Sequence, residues 1–142
     1  MKVVISKADF DRIVAHARSC LPEEACGLVA GSEAEGVRRI EKVYLLENAD
    51  HSNEHFSLSP QAQFAAIKDQ RANGLRSLGN WHSHPETPSR PSAEDIRLAH
   101  DPRASYLILS LADAGNPVLK AFSIVGGVAR EDELLASCSQ SV

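Results

Sequence analysis

Apolar and polar positions along this chain form short runs whose period switches between that of a strand and that of a helix. Residues 3–5 read as a short apolar strand, and Ser6-Lys7-Ala8-Asp9 as a cap opening a helix to about Ser19. Phe10, Ile13, Val14 and Ala17 recur at helical spacing and make its apolar face. Residues 25–30 form a strand of small apolar residues, followed by a turn over 32–36. Gly27 and Gly31 suit a strand that another backbone approaches closely. A long strand over 37–47, a polar loop over 48–54 and a brief strand over 55–58 come next. Pro60 starts a second helix running to about Ala72. Residues 78–84 read as a strand ended by Pro85, and Ser92 opens a further helix that His100 ends, a place a helix dipole favours for imidazole. The near-continuous apolar run over 106–111 is typical of a central strand covered on both faces. Residues 113–116 form a turn, 118–125 alternate loosely as a strand, and Gly126-Gly127 reads as a tight hairpin turn into 128–134.

This order predicts an α/β fold in one domain, residues 1–136, with a curved, twisted mixed β-sheet flanked by helices. Residues 137–142 are expected to be a flexible tail. A chain of 142 residues suffices for one core and is too short for two. Its 43% hydrophobic and 24% charged residues match a compact soluble protein. A net charge of −4 without a basic cluster argues against a nucleic-acid partner. No apolar run approaches the ~20 residues that cross a bilayer, so no membrane role is expected. The start M-K-V-V-I-S-K turns polar too soon for a secretory signal, and Cys20, Cys26 and Cys138 show no pairing pattern; a cytoplasmic setting follows. A thiol at Cys138 could join two chains, but nothing in the sequence sets the oligomeric state.

The candidate chemistry lies in N-W-H-S-H-P-E-T-P-S-R-P-S-A-E-D-I, residues 80–96. Residues two apart on a strand share a face, so His82 and His84 point the same way with Cα atoms about 6.5–7 Å apart. Two imidazoles so placed can converge on one ion at about 2.0–2.1 Å. Trp81 and Ser83 point the other way, and Trp81 can anchor the strand in the core. Pro88 and Pro91 stiffen the loop that follows. Asp95 falls in the first turn of the next helix and can swing toward the strand end. Ser92 and Asp95 also fit an ordinary capping box, and the two roles are compatible, because a capping hydroxyl keeps its own O–H to donate. Glu24 precedes the strand over 25–30, whose alternation puts Glu24, Cys26 and Leu28 on one face. Cys26 could lie near a metal, although a buried structural cysteine is the plainer reading. His16 falls in a helix, and His51 and His55 in loop or strand positions near the surface.

H-S-H-P, then Ser92, then x-x-Asp, resembles the H-x-H-(x7)-S-(x2)-D signature of the JAMM (MPN+) zinc metalloproteases. L-P-E-E-A-C-G-L-V-A-G, residues 21–31, is similar to the segment that bears that family's glutamate. The resemblance covers nearly the whole chain and implies an MPN/JAB, cytidine-deaminase-like fold. It implies that His82, His84 and Asp95 hold one Zn(2+) per chain, with water as fourth ligand. It further implies that Glu24 is general base and then acid, and that Ser92 donates to the oxyanion. Short connections leave no room for the insertions that grip a second ubiquitin, so the chain resembles the bacterial branch. Its implied substrate is a ubiquitin-like sulfur-carrier protein, trimmed after its C-terminal Gly-Gly. A zinc hydrolase of small peptides or amides, and a non-catalytic scaffold, are the alternatives. Two imidazoles and one carboxylate also suit iron or manganese.

Overall fold

The fold, a computed structural model, is described for residues 1–137. Its elements are β1 (Lys2–Ser6), α1 (Lys7–Cys20), β2 (Cys26–Ala34), β3 (Val37–Leu46), α2 (Pro60–Ala72), β4 (Arg76–His84), α3 (Ala93–Arg97), β5 (Ser105–Ser110), β6 (Val118–Val125) and β7 (Val128–Ser137). Two of the helix starts follow directly from the caps. Ser6 Oγ accepts the Asp9 N–H at 3.0 Å, and Ser59 Oγ accepts the Ala62 N–H at 3.1 Å ahead of Pro60. Gly126 and Gly127 both take positive φ, 58° and 79°, as a two-residue hairpin turn requires.

The strands close on themselves in the order β1-β3-β2-β4-β5-β6-β7, where an open curved sheet was expected. β1 is the closing strand, parallel to β3 on one side and to β7 on the other, with Lys2 opposite both Val37 and Glu133. Hydrophobic period reveals strands but not which distant pair will meet, so closure is invisible to it. Register shifts in β2, between Val29 and Ala30 against β4 and between Ala30 and Gly31 against β3, supply the bends that closure needs. β7 runs to Ser137, opposite Ser6, three residues past its expected end. The rest of the expected tail, with Cys138, lies outside the described residues.

Two other expectations are corrected. Residues 55–58 form no strand. β2 and β3 already have partners on both edges, and the loop winds instead around the Asn48 side chain, which bonds the Glu24 and His55 carbonyls and the Asp50 and Ser57 amides. α3 ends at Arg97 with Leu98 as its C-cap, so His100 lies beyond it. Asp101 precedes a proline, a position that resists helical geometry.

The main core joins the buried face of α1 (Ile13, Val14, Ala17) to Val3, Ile5, Val29, Val43, Trp81, Leu107 and Leu109 from the strands. The other face of β5 and β6 carries a smaller cluster, Ile108, Phe122 and Ile124, packed against Ile96 of α3 and Ala99. α3 is thus held over the face that bears His82 and His84. Gly27 is needed where the backbones crowd. A Cβ there would overlap the Tyr44 carbonyl oxygen and press on Trp81 Nε1, whereas one at Gly115 would meet only a side-chain oxygen at 3.8 Å. Gly27→Ala should therefore destabilise the protein by about 3 kcal/mol, and Gly115→Ala by less than about 0.5 kcal/mol. Denaturant melts check this, and equal midpoints for the two variants would contradict the packing described.

Candidate metal centre

β4 is bonded along both edges, antiparallel to β2 and parallel to β5, so its side chains have little freedom. Trp81 is fully buried on the core face and donates Nε1–H to the Tyr44 carbonyl at 3.1 Å. Ser83 on the same face accepts the Ala25 N–H on its hydroxyl at 2.8 Å, while its own N–H donates to the Ala25 carbonyl at 2.9 Å. These bonds extend the β2–β4 pairing to the residue next to Glu24. His82 and His84 occupy the opposite face at the carboxyl end of the strand, only 3% and 5% exposed. Leu111 N–H ties the end of β5 to the His84 carbonyl at 3.0 Å.

Asp95 meets the two histidines there. His82 Nε2 lies 3.2 Å from His84 Nε2 and 3.3 Å from Asp95 Oδ2, and His84 Nε2 lies 3.2 Å from the same oxygen. Three atoms bound to one zinc ion at about 2.0–2.1 Å and tetrahedral angles stand about 3.3–3.4 Å apart. The observed triangle thus has the size of one face of such a polyhedron. Among the described residues, these three side chains form the one group able to hold a metal ion.

The tautomers agree with that use. His84 Nδ1 is 3.0 Å from the Pro88 carbonyl, an acceptor only, so in the neutral ring the proton sits on Nδ1 and Nε2 carries the lone pair a metal would use. The loop is placed for this by Ser89, whose hydroxyl donates to the Ile108 carbonyl at 2.6 Å, and by Ser110, which donates to the Thr87 carbonyl at 2.6 Å. Burial lowers the pKa of His82 despite the Asp95 carboxylate, keeping the ring neutral. At His84 burial also opposes charge, but bonds to Asp95 and to the Pro88 carbonyl outweigh it and raise the pKa. Burial works to raise Asp95 as well, yet the two imidazoles close against its Oδ2 and the Ser92 N–H hold its carboxyl far below the usual range.

Ser92 and Asp95 form a complete capping box. Ser92 Oγ accepts the Asp95 N–H at 3.0 Å, and Asp95 Oδ2 accepts the Ser92 N–H at 2.9 Å. The cap therefore aims Asp95 at the histidines and leaves the exposed Ser92 hydroxyl a proton to donate. Glu24 is 5% exposed, and its backbone is pinned by N–H to the Ser52 carbonyl at 2.7 Å and by Asn48 on its own carbonyl at 3.1 Å. Burial pushes the Glu24 carboxyl up to about 7, opposed by His84 and His55 and reinforced by Asp95 and Glu94. Those groups place Glu24 within electrostatic reach of the triangle.

Several contributors carried no signal in the sequence. Phe56 stacks on the His82 ring at 4.6 Å between centroids, Asn48 organises the loop behind Glu24, and Ser89 and Ser110 pin the proline loop. His55, read as a surface residue, bonds Glu94 at 2.6 Å, and both line a groove of about 250 Å³. Phe56, Leu58, Leu98, Tyr106 and Ile108 line that groove, and it opens onto His82 and Asp95. Cys26 faces His82 across the β2–β4 ladder but is not among the converging groups.

Residues 6–125 match the family model described as prokaryotic homologs of the JAB domain. The chain is 33% identical over 131 residues to the CysO-cysteine peptidase of Mycobacterium tuberculosis, covering 92% of this chain and 88% of that one. It is also 33% identical to a Thermus thermophilus protein named "Probable TtuB-protein conjugate cleaving protease", covering 80% of this chain and 70% of that one. The solution structure of DSY2949 from Desulfitobacterium hafniense is similar at a TM-score of 0.90 and 49% identity, over 96% of this chain and 94% of the other.

Cys26 shows what burial does to a group outside the triangle. Enclosure, with Cys20, Glu24 and Asp50 nearby, pushes its thiol up to about 12. It is therefore uncharged and unreactive at pH 8. Iodoacetamide should alkylate Cys20 in the folded protein at least ~10-fold faster than Cys26. Peptide mapping checks this, and equally rapid labelling of Cys26 would contradict its enclosure.

Proposed function

The chain belongs to the JAB family of metalloproteases in its prokaryotic branch, and from that premise we propose a zinc-dependent peptidase acting on a ubiquitin-like sulfur-carrier protein. The bond cut is the peptide or isopeptide bond that follows the carrier's C-terminal Gly-Gly. The observation that carries this reading is the 3.2–3.3 Å triangle of His82 Nε2, His84 Nε2 and Asp95 Oδ2 beside a buried carboxyl. Relatives named for CysO-cysteine and for TtuB-protein conjugates support a protein conjugate as the substrate.

In this proposal His82, His84 and Asp95 hold one zinc ion per chain. Held there, the ion supplies Lewis acidity to the scissile carbonyl and acidity to a water. Glu24 takes a proton from the attacking water and returns it to the leaving amine. A carboxyl that burial has moved to about 7 is suited to both halves of that exchange near neutral pH. Ser92 donates its free hydroxyl proton to the substrate oxygen as negative charge develops on it, while the capping bond fixes where that hydroxyl stands. The groove beside His82 is open to an extended peptide tail, which matches a substrate presented by its terminus.

Mass spectrometry tests the substrate. A carrier bearing extra residues after Gly-Gly should be shortened to end at Gly-Gly, whereas intact carrier beside cleaved short peptides would contradict the proposal. The roles separate by mutation. Glu24→Gln should keep stoichiometric zinc and lose about 10²–10⁴-fold in kcat. His82→Ala should lose both zinc and hydrolysis. Wild-type turnover in Glu24→Gln would remove Glu24 from its role.

A further inference from the structure

The two histidines of the triangle are not supported alike. His84 donates Nδ1–H to the Pro88 carbonyl, and that bond fixes its ring. His82 Nδ1 is buried and has no partner in the protein. For His82 to present a lone pair at Nε2, its proton must be on Nδ1, which makes a buried donor in need of an acceptor. Leaving such a group unmatched is costly. Phe56 stacked on the ring face holds the plane of the imidazole, so the Nδ1–H can only be met edge-on.

The chemistry of the neighbourhood narrows the acceptor. Two other buried side-chain atoms among the described residues have no partner, Gln70 Nε2 and Asn80 Oδ1. The first is a donor like the His82 N–H and cannot serve. Asn80 Oδ1 is an acceptor two residues before His82 on the same strand face, and both side chains line the groove. Cα atoms about 6.5–7 Å apart leave the two side chains within reach of a direct bond, as the same spacing brings His82 Nε2 and His84 Nε2 to 3.2 Å. Neither atom has surface open to a water, so the acceptor must come from the Asn80 side chain itself, by rotation about its own torsions.

We propose that Asn80, by accepting from the Nδ1–H on its Oδ1, holds His82 in that tautomer and so acts as a positioning residue for the metal site. The inference rests on His82 being a metal ligand. Asn80 then does for His82 what the Pro88 carbonyl does for His84, with a side chain in place of the backbone. Outer partners of this kind are typically worth 10–100-fold in metal affinity.

Titration of the full-length protein with Co(II) alone, read by its visible absorption and by competition with a chelator, tests this. Asn80→Leu, similar in volume but without an acceptor, should bind Co(II) about tenfold or more weakly and shift the absorption bands. Asn80→Asp should restore both. Asn80→Ser, too short to reach the ring, should behave as Asn80→Leu does and guards against a folding defect, with the metal-free melting temperature as control. Nitrogen-15 spectra of the zinc-loaded protein should show the His82 proton on Nδ1 in wild type and a shifted Nδ1 signal in Asn80→Leu. Affinity and bands unchanged within twofold in either Leu or Ser variant would overturn the inference. Failure of wild type to bind Co(II) would instead overturn the metal site itself, and the two failures are distinguishable.

Discussion

Everything in the site depends on three electron-rich atoms held about as close as their own repulsion allows. With its proton committed to the Pro88 carbonyl, His84 turns a lone pair toward Asp95 Oδ2 and His82 Nε2 at 3.2 Å. Such an arrangement is favourable only with positive charge among the three atoms, whether a proton or a metal cation. The chain maintains it by anchoring each partner separately. β4 is bonded on both edges, the proline loop is tied to β5 by Ser89 and Ser110, and the capping box aims Asp95. No single flexible segment carries two of the three groups.

The same anchoring sets the electrostatics. Burial keeps His82 neutral, and it raises the Glu24 carboxyl toward neutrality. Asp95 answers in the opposite sense, because hydrogen bonds to its ionised form outweigh its burial. Two carboxylates with well-separated affinities for the proton are what a division between metal holding and proton transfer requires. The barrel contributes by placing Glu24 one residue before a β2–β4 pairing that Ser83 extends, so that the proposed base and the proposed ligands are set by one ladder.

Much of this was legible in the sequence where local rules act. The spacing of His82 and His84 put them on one face of a strand, Ser92 and Asp95 announced a capping box, and the small residues at Gly27 and Gly31 announced close backbone contact. Sheet closure was not legible, because β1 meets β3 and β7 through pairings distant in sequence. Residues 55–58 carry a strand-like pattern, yet Asn48 competes for their backbone and no sheet edge is free to take them. Phe56, Asn80 and Ser89 gave no signal because their importance lies in what the fold brings beside them. A motif names candidate ligands, and the fold chooses what supports them.

The central claim is that His82, His84 and Asp95 hold a single zinc ion from one side of a shallow triangle. Anomalous diffraction at the zinc edge, on crystals reconstituted with zinc, measures this directly. The account predicts one peak, about 2.0–2.1 Å from each of His82 Nε2, His84 Nε2 and an Asp95 carboxylate oxygen. A peak at any other group, or none at this one in crystals that contain zinc, would contradict it.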